Sequence, residues 1–255
     1  MRPFAAGFRL QVQLLRADPD LLLPLATAPV FAVVFLAIVE HAGRSDLVAS
    51  AFVAPVLIAL WSLAVMDSAE IVEADRLERV LEPLVSTPAS LPGIVLGRIA
   101  ALTAPAVLAF GEVWLVARLG FGANVEFHHP WTFLAAAVTT ALASAATAVV
   151  LASVFVLARS ARTFQNALSF PFYVVGGVLA PVSLLPHWLR PLSSAVYLSW
   201  SADLMRDALA PASVERIAPR LAAILGLAAA AFALGTLLFA LVLRRLRVDG
   251  TLDVV

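Results

Sequence analysis

Six apolar stretches, at residues 21–39, 48–66, 93–117, 132–158, 167–185 and 221–243, leave this chain of 255 residues few folds to choose from. Each is close to or above the roughly 20 residues that cross about 30 Å of hydrocarbon at 1.5 Å per residue. The expected fold is an all-α membrane protein: six transmembrane helices forming a single transmembrane domain over residues 1–255. Composition agrees, since 62% of residues are hydrophobic, only 13% are charged and the mean hydropathy is +0.97, well outside the range of soluble domains. No short apolar core with a small-residue cleavage site precedes the first stretch, so residues 1–20 are read as part of the mature chain.

Arginine placement sets the orientation. With a cytoplasmic N-terminus, Arg2, Arg9, Arg16, Arg76, Arg79, Arg159, Arg162, Arg244, Arg245 and Arg247 fall inside, while the two short outer connections hold only Arg44 and Arg118. Both termini are expected in the cytoplasm. All basic residues are Arg, which with the Ala and Leu excess points to a GC-rich coding sequence and a bacterial cell membrane. Net charge is zero, so no nucleic-acid partner is expected. Cysteine is absent, which removes disulfides and thiolate metal sites.

The connector at 67–92 stands out. Its first part, 67–82, holds eight of the chain's 17 basic and 17 acidic residues. Asp75 pairs with Arg79 at four residues and Glu73 with Arg76 at three, the spacing of a helical face. Leu77, Leu81 and Leu84 repeat along one side, an apolar stripe suited to the groove of a partner protein. Val85-Ser86-Thr87-Pro88 then breaks the helix, and Ser90-Leu91-Pro92 starts the next.

At the N-terminus, residues 3–17 place Phe4, Phe8, Val12 and Leu15 on one face, with Arg2, Arg9, Gln13 and Arg16 largely opposite, as in an amphipathic helix lying in the inner interface. Small residues recur at helical intervals: Gly93 and Gly97; Ala136, Thr140, Ser144 and Ala148; Ala222, Gly226 and Ala230. In lipid such positions allow close helix packing within the bundle. Phe170-Pro171, Gly176-Gly177, Pro181 and Pro186 predict a break in the outer half of the fifth stretch. The segment 186–209, with Trp188, Tyr197 and Trp200, is too polar for a full span and is expected to form short outer re-entrant or interfacial helices.

No catalytic residues emerge. There is no H-E-x-x-H, no G-x-S-x-G and no phosphate-cradling G-x-x-x-x-G-K-[ST]. Glu126, His128 and His129 are too close in sequence and too few for a metal site, so a solvated loop and no metal are expected. Glu112 is the clear ionisable residue inside a span, where it faces a cavity or partner, or snorkels to the outer interface beside Trp114. Arg98, near the inner end of the same span, is expected to snorkel.

At the connector the chain resembles the permease subunits of ABC exporters of the type 2 family, a group that includes drug-resistance and polysaccharide exporters. Glu78-Arg79-Val80-Leu81-Glu82-Pro83-Leu84-Val85-Ser86-Thr87-Pro88 is similar to that family's Leu-Glu-x-Leu and Ser/Thr-Pro run, with Arg79-Val80 where it usually has Gly-Thr. Gly176-Gly177-Val178-Leu179-Ala180-Pro181 through Pro186-His187-Trp188-Leu189 resembles its glycine, proline and Leu-Pro-x-Trp-Leu run, and Asp203-Leu204-Met205-Arg206 its closing Asp-x-x-Arg.

The resemblance implies a half-channel that pairs with a second copy or a homologue around a central pathway within membrane lipid. Each half would receive a separate cytoplasmic ABC ATPase, on which ATP and Mg would bind, so this chain would carry no cofactor and would be no enzyme itself. The connector would be the coupling helix, with Glu73, Arg76, Leu77, Glu78, Arg79, Leu81, Glu82, Leu84, Thr87 and Pro88 docking the ATPase. Glu112, Gly176, Gly177 and Pro181 are candidates for the substrate pathway, and Pro186, Trp188, Asp203 and Arg206 for the outer re-entrant motif. A drug-like, lipid-like or glycan substrate is expected. The rival readings are an intramembrane enzyme, which needs converging polar groups at membrane depth, and a secondary transporter, which usually shows internal repeats.

Overall fold

The computed structural model describes residues 2–17, 23–77, 91–155 and 161–249. Among them are ten α-helices joined by loops, short 3-10 turns and one π-helical turn, with no strand. In chain order the helices are α1 (Arg2–Ala17), α2 (Leu23–His41), α3 (Val48–Leu77), α4 (Leu91–Thr103), α5 (Val107–Leu115), α6 (Pro130–Phe155), α7 (Ala161–Val175), α8 (Arg190–Ser194), α9 (Tyr197–Leu209) and α10 (Ile217–Asp249). By length and composition α6 and the Ile217–Leu241 part of α10 can cross a membrane, and Leu25–His41 and Val48–Ala64 are shorter apolar helices.

Helix α3 is the centre. Every residue at positions 51–61 is buried, and the helix packs against α2, α4, α5, α6, α7 and α9. A helix apolar on all sides has no solvent face to offer, so its stable place is the middle of a bundle. Lipid tails are as apolar as Leu, so packing fit and polar pairs, rather than escape from water, must hold such a helix in place. Trp61 supplies both: its ring stacks on Phe172 of α7 at 4.5 Å between centroids, and its Nε1–H donates to Ser169 Oγ at 3.3 Å. One residue on, the Ser62 hydroxyl meets the Tyr173 hydroxyl at 3.1 Å. At the other end of the buried run, Phe52 lies near Phe127 and Phe133, and Phe133 meets Phe110 edge-on at 5.3 Å.

Helix α3 does not stop where its apolar stretch does. It runs on to Leu77, because no Gly or Pro occurs between Pro55 and Pro83 to interrupt it. The third apolar stretch, by contrast, is not one helix. Pro105 removes a backbone donor and forces a 3-10 turn at Ala104–Ala106 between α4 and α5, and the stretch ends in a π-helical turn at Val116–Gly120.

The fifth stretch, expected at 167–185, is helical only to Val175. Gly177 takes a φ of +63°, its N–H donates to Val174 O at 3.1 Å, and the Val178 N–H donates to Tyr173 O at 3.0 Å. That pair of bonds closes a Schellman cap, which a residue with a Cβ would resist at the left-handed position.

Helices α6 and α10 pack along one another. The sixth stretch's small residues do not make this contact: Ala222, Gly226 and Ala230 are exposed. The contact falls a few turns further on, at Gly235, where a Cβ would lie 2.9 Å from the Val150 backbone nitrogen. On α6 the expected stripe of Ala136, Thr140, Ser144 and Ala148 is buried.

The N-terminal helix packs lengthwise on α4 rather than standing apart. Gly7 and Gly97 sit at the crossing, where a Cβ on either would overlap the carbonyl oxygen of Ile94 or Phe4. The buried face of α1 centres on Gly7 and Gln11, and Phe4 remains 41% exposed. Arg98, expected to snorkel, is instead buried at the same crossing and donates from Nε to Gln11 Oε1 at 3.0 Å. A buried guanidinium needs such an acceptor, and Gln11 offers one without adding a second charge.

The two glycine positions predict opposite responses to one substitution. Gly97→Val must push α1 off α4 and should cost about 1–3 kcal/mol. Gly226→Val, where a Cβ meets nothing within 4 Å, should leave stability unchanged. Thermal unfolding of the two detergent-solubilised variants, with protease sensitivity of α1 as local readout, checks both.

Candidate functional site

Two regions gather the residues singled out by sequence. The first is the far end of α3. Glu73, Arg76 and Leu77 lie on its last turns, while Glu78, Arg79, Leu81, Glu82, Leu84, Thr87 and Pro88 fall outside the described residues. A helix of 30 residues is about 45 Å long at 1.5 Å per residue, more than the hydrocarbon core of about 30 Å. The charged part of α3 is therefore a continuous helical extension of its buried part.

The second region is built around α9. This helix packs on α6, α10 and α3, and its inward face, Tyr197, Leu198, Ala202, Leu204, Met205 and Ala208 among others, is buried. Its start is tied to the end of α8: Ser199 Oγ donates to Ser193 O at 2.5 Å, and Trp200 Nε1 donates to Ser194 O at 2.9 Å. Deeper in, the Tyr197 hydroxyl meets Ser144 Oγ of α6 at 2.8 Å. Both are buried, so each satisfies a group that would otherwise cost free energy in an apolar setting.

Asp203 and Arg206 come together here with Gly176 and Gly177. Arg206 Nη1 lies 3.1 Å from Asp203 Oδ1, and Nη2 donates to Gly177 O and, at 3.3 Å, to Val178 O. The guanidinium thus holds the turn just after α7, where the Gly177 and Val178 carbonyls are left outside the helix. Gly176 permits this approach, since a Cβ there would lie 2.8 Å from the Leu198 Cβ. Burial raises the Asp203 carboxyl above its ordinary range, and the charges of Arg206 and Arg220 offset this only in part. Asp207 pairs with Arg220 of α10, so α9 is fixed at two neighbouring turns to two different helices.

The loop before α6, read from sequence as solvated, closes the other end of α9. His128 Nδ1 lies 2.9 Å from Leu209 O and His129 Nε2 lies 2.9 Å from Ala212 O. A carbonyl only accepts, so each of these ring nitrogens carries its proton. The His129 N–H also donates to Ala208 O at 2.9 Å. The two histidines are C-terminal caps on α9 rather than ligands, and no metal-binding group of three or more such side chains occurs among the described residues.

Pro181 precedes the 3-10 turn Val182–Leu184. Pro186 and Trp188 are exposed, Trp188 by 67%, and take no part in the cluster. Glu112 lies apart on α5. A cavity of about 470 Å³ beside the α4–α5 break is lined only by apolar residues, among them Leu60, Ala104, Phe110, Leu134 and Ala141. It offers no polar group to orient a ligand. The sequence signals missed Gln11, the buried pairing of Tyr197 with Ser144 and the capping roles of His128 and His129, whose partners lie 53 to 87 positions away in the chain.

The cluster's arrangement fits a mechanical joint. Arg206→Leu should remove the cation from the Gly177 and Val178 carbonyls and leave Asp203 unpaired, costing about 3 kcal/mol. Asp203→Asn, at a half-exposed carboxylate, should cost less than about 1 kcal/mol. Thermal unfolding, with amide exchange at Gly177 and Val178, measures both.

No curated protein matches the chain. A family model described as ABC-2 type transporter matches residues 7–210, a range that includes α1 from Gly7 and extends just past the end of α9. The family is one of membrane permeases without an ATPase domain of their own. The chain thus belongs to the ABC-2 type transporter family, as the membrane component of an ABC transporter.

Proposed function

We propose that this chain is the permease half of an ATP-driven exporter, that it pairs with a second copy or a homologue, and that a separate cytoplasmic ABC ATPase docks on residues 67–92. The observation that carries the reading is the family match across residues 7–210. The length of α3 gives it a mechanical basis. Because Val48–Leu77 is one helix, a push on its charged end is delivered to the buried run at 51–61 and so to the helices packed around it.

In this reading both termini are cytoplasmic, the protein sits in a bacterial cell membrane, and the six apolar stretches are its spans. The short α7 and the broken α4–α5 pair are then the spans with least internal helix to resist rearrangement. The α9 joint couples α7 to α10 on the outer side. ATP binding by the partner would favour one arrangement of a bistable pair of permeases and hydrolysis would reset it. Drug-like, lipid-like and glycan cargo all fit a pathway of this kind, with multidrug efflux as one case.

Leu81→Asp and Glu82→Arg each reverse the character of a contact in the proposed docking helix. Each should weaken capture of the ATPase by about 2 kcal/mol or more, roughly thirtyfold in affinity. Co-purification and transport-coupled ATP hydrolysis measure this, and normal transport by both variants sinks the docking assignment.

A further inference from the structure

Among the described residues, the charged groups drawn into the helical bundle include Arg98, Glu112, Asp203, Arg206, Asp207 and Arg220. Arg98 is bonded to Gln11, and the four on α9 and α10 pair as Arg206 with Asp203 and Arg220 with Asp207. Arg206 also keeps a buried Nε without a partner, but Glu112 alone of these six has no pairing side chain among the described residues. Its Oε2 is buried, yet it has no hydrogen-bond partner among the described residues.

The surroundings of Glu112 have two sides. On the inward face of α5, Ala109 and Val113 are fully buried. On its other flank Leu108 and Leu115 are 62% and 49% exposed, and at Gly111 a Cβ would meet nothing within 4 Å. Helix α5 packs on α2 and α3, so the carboxyl stands at the rim of the bundle, beside open space and an apolar wall. An ionisable group at such a place in a membrane protein is costly to keep unless something pairs with it.

We propose that Glu112 is the recognition point for the cationic head of an amphipathic substrate, a singly charged lipophilic cation whose apolar body lies along Leu108 and Leu115. This rests on the permease reading above and names the class of cargo. A single carboxylate supplies the opposite charge without the further ligands a metal ion would need. The neighbouring exposed leucines complement an apolar body, and the gap at Gly111 leaves room for it.

The test is equilibrium binding to the purified wild-type and variant permease in lipid nanodiscs, using the lipophilic cation tetraphenylphosphonium and the neutral triphenylphosphine oxide. Wild type should prefer the cation. Glu112→Gln should weaken cation binding about tenfold, the loss of one charge–charge attraction, and change binding of the neutral compound little. Glu112→Asp should retain part of the preference. The proposal is overturned if wild type binds both compounds alike, if Glu112→Gln binds the cation as wild type does, or if Glu112→Gln changes only subunit assembly. The assay needs no ATPase, so loss of ATPase docking would sink the coupling reading without deciding this one.

Discussion

Complete burial of one helix organises this protein. Residues 51–61 of α3 have no open face, so neighbouring helices must cover them on every side, and α2, α4, α5, α6, α7 and α9 do so. In lipid that covering earns little from hydrophobicity, because the alternative to a protein neighbour is an equally apolar acyl chain. Shape and a few buried polar pairs must decide which helix lies where. Trp61 illustrates this, with a stack on Phe172 and a hydrogen bond to Ser169 that fix α7 in both rotation and height.

The same logic explains where glycine and polar residues fall. Gly7 and Gly97 allow α1 and α4 to touch backbone to backbone, and the bond from Arg98 to Gln11 locks their register. Gly176 and Gly177 end α7 and let α9 approach, and Arg206 then bonds the Gly177 and Val178 carbonyls of the turn that follows. In both places a close approach made possible by a missing side chain is paired with a charge that would be costly if displaced. Since α3 continues unbroken from the buried run to Leu77, these joints lie on helices that pack directly around, or one contact away from, a single continuous helix.

Much of the helical architecture is legible in the sequence because apolar runs of this length, with few charges, have little alternative in hydrocarbon. The end of α7 was foreshadowed by Gly176-Gly177, whose conformational freedom is local. The break at Pro105 was equally local but lay inside a run of uninterrupted hydropathy, which reports length and not continuity. The small-residue stripe at Ala222, Gly226 and Ala230 stays exposed within this chain, since a pattern on one helix cannot show which face meets a neighbour. Arg98 misdirected the reading, because hydropathy near a span's end is the same whether a guanidinium reaches water or an amide on another helix.

The sequence by itself determined the class of the chain, its helical elements, the charged connector and the motifs shared with its family, because these depend on composition and on spacing within a few turns. Only the tertiary structure decided that α3 is the buried helix, that α1 belongs to α4, that His128 and His129 cap α9, and that Glu112 keeps an unpartnered oxygen. Each of these depends on which groups from distant parts of the chain come within hydrogen-bonding or packing distance, and that is fixed by the fit of whole helix surfaces rather than by any local pattern.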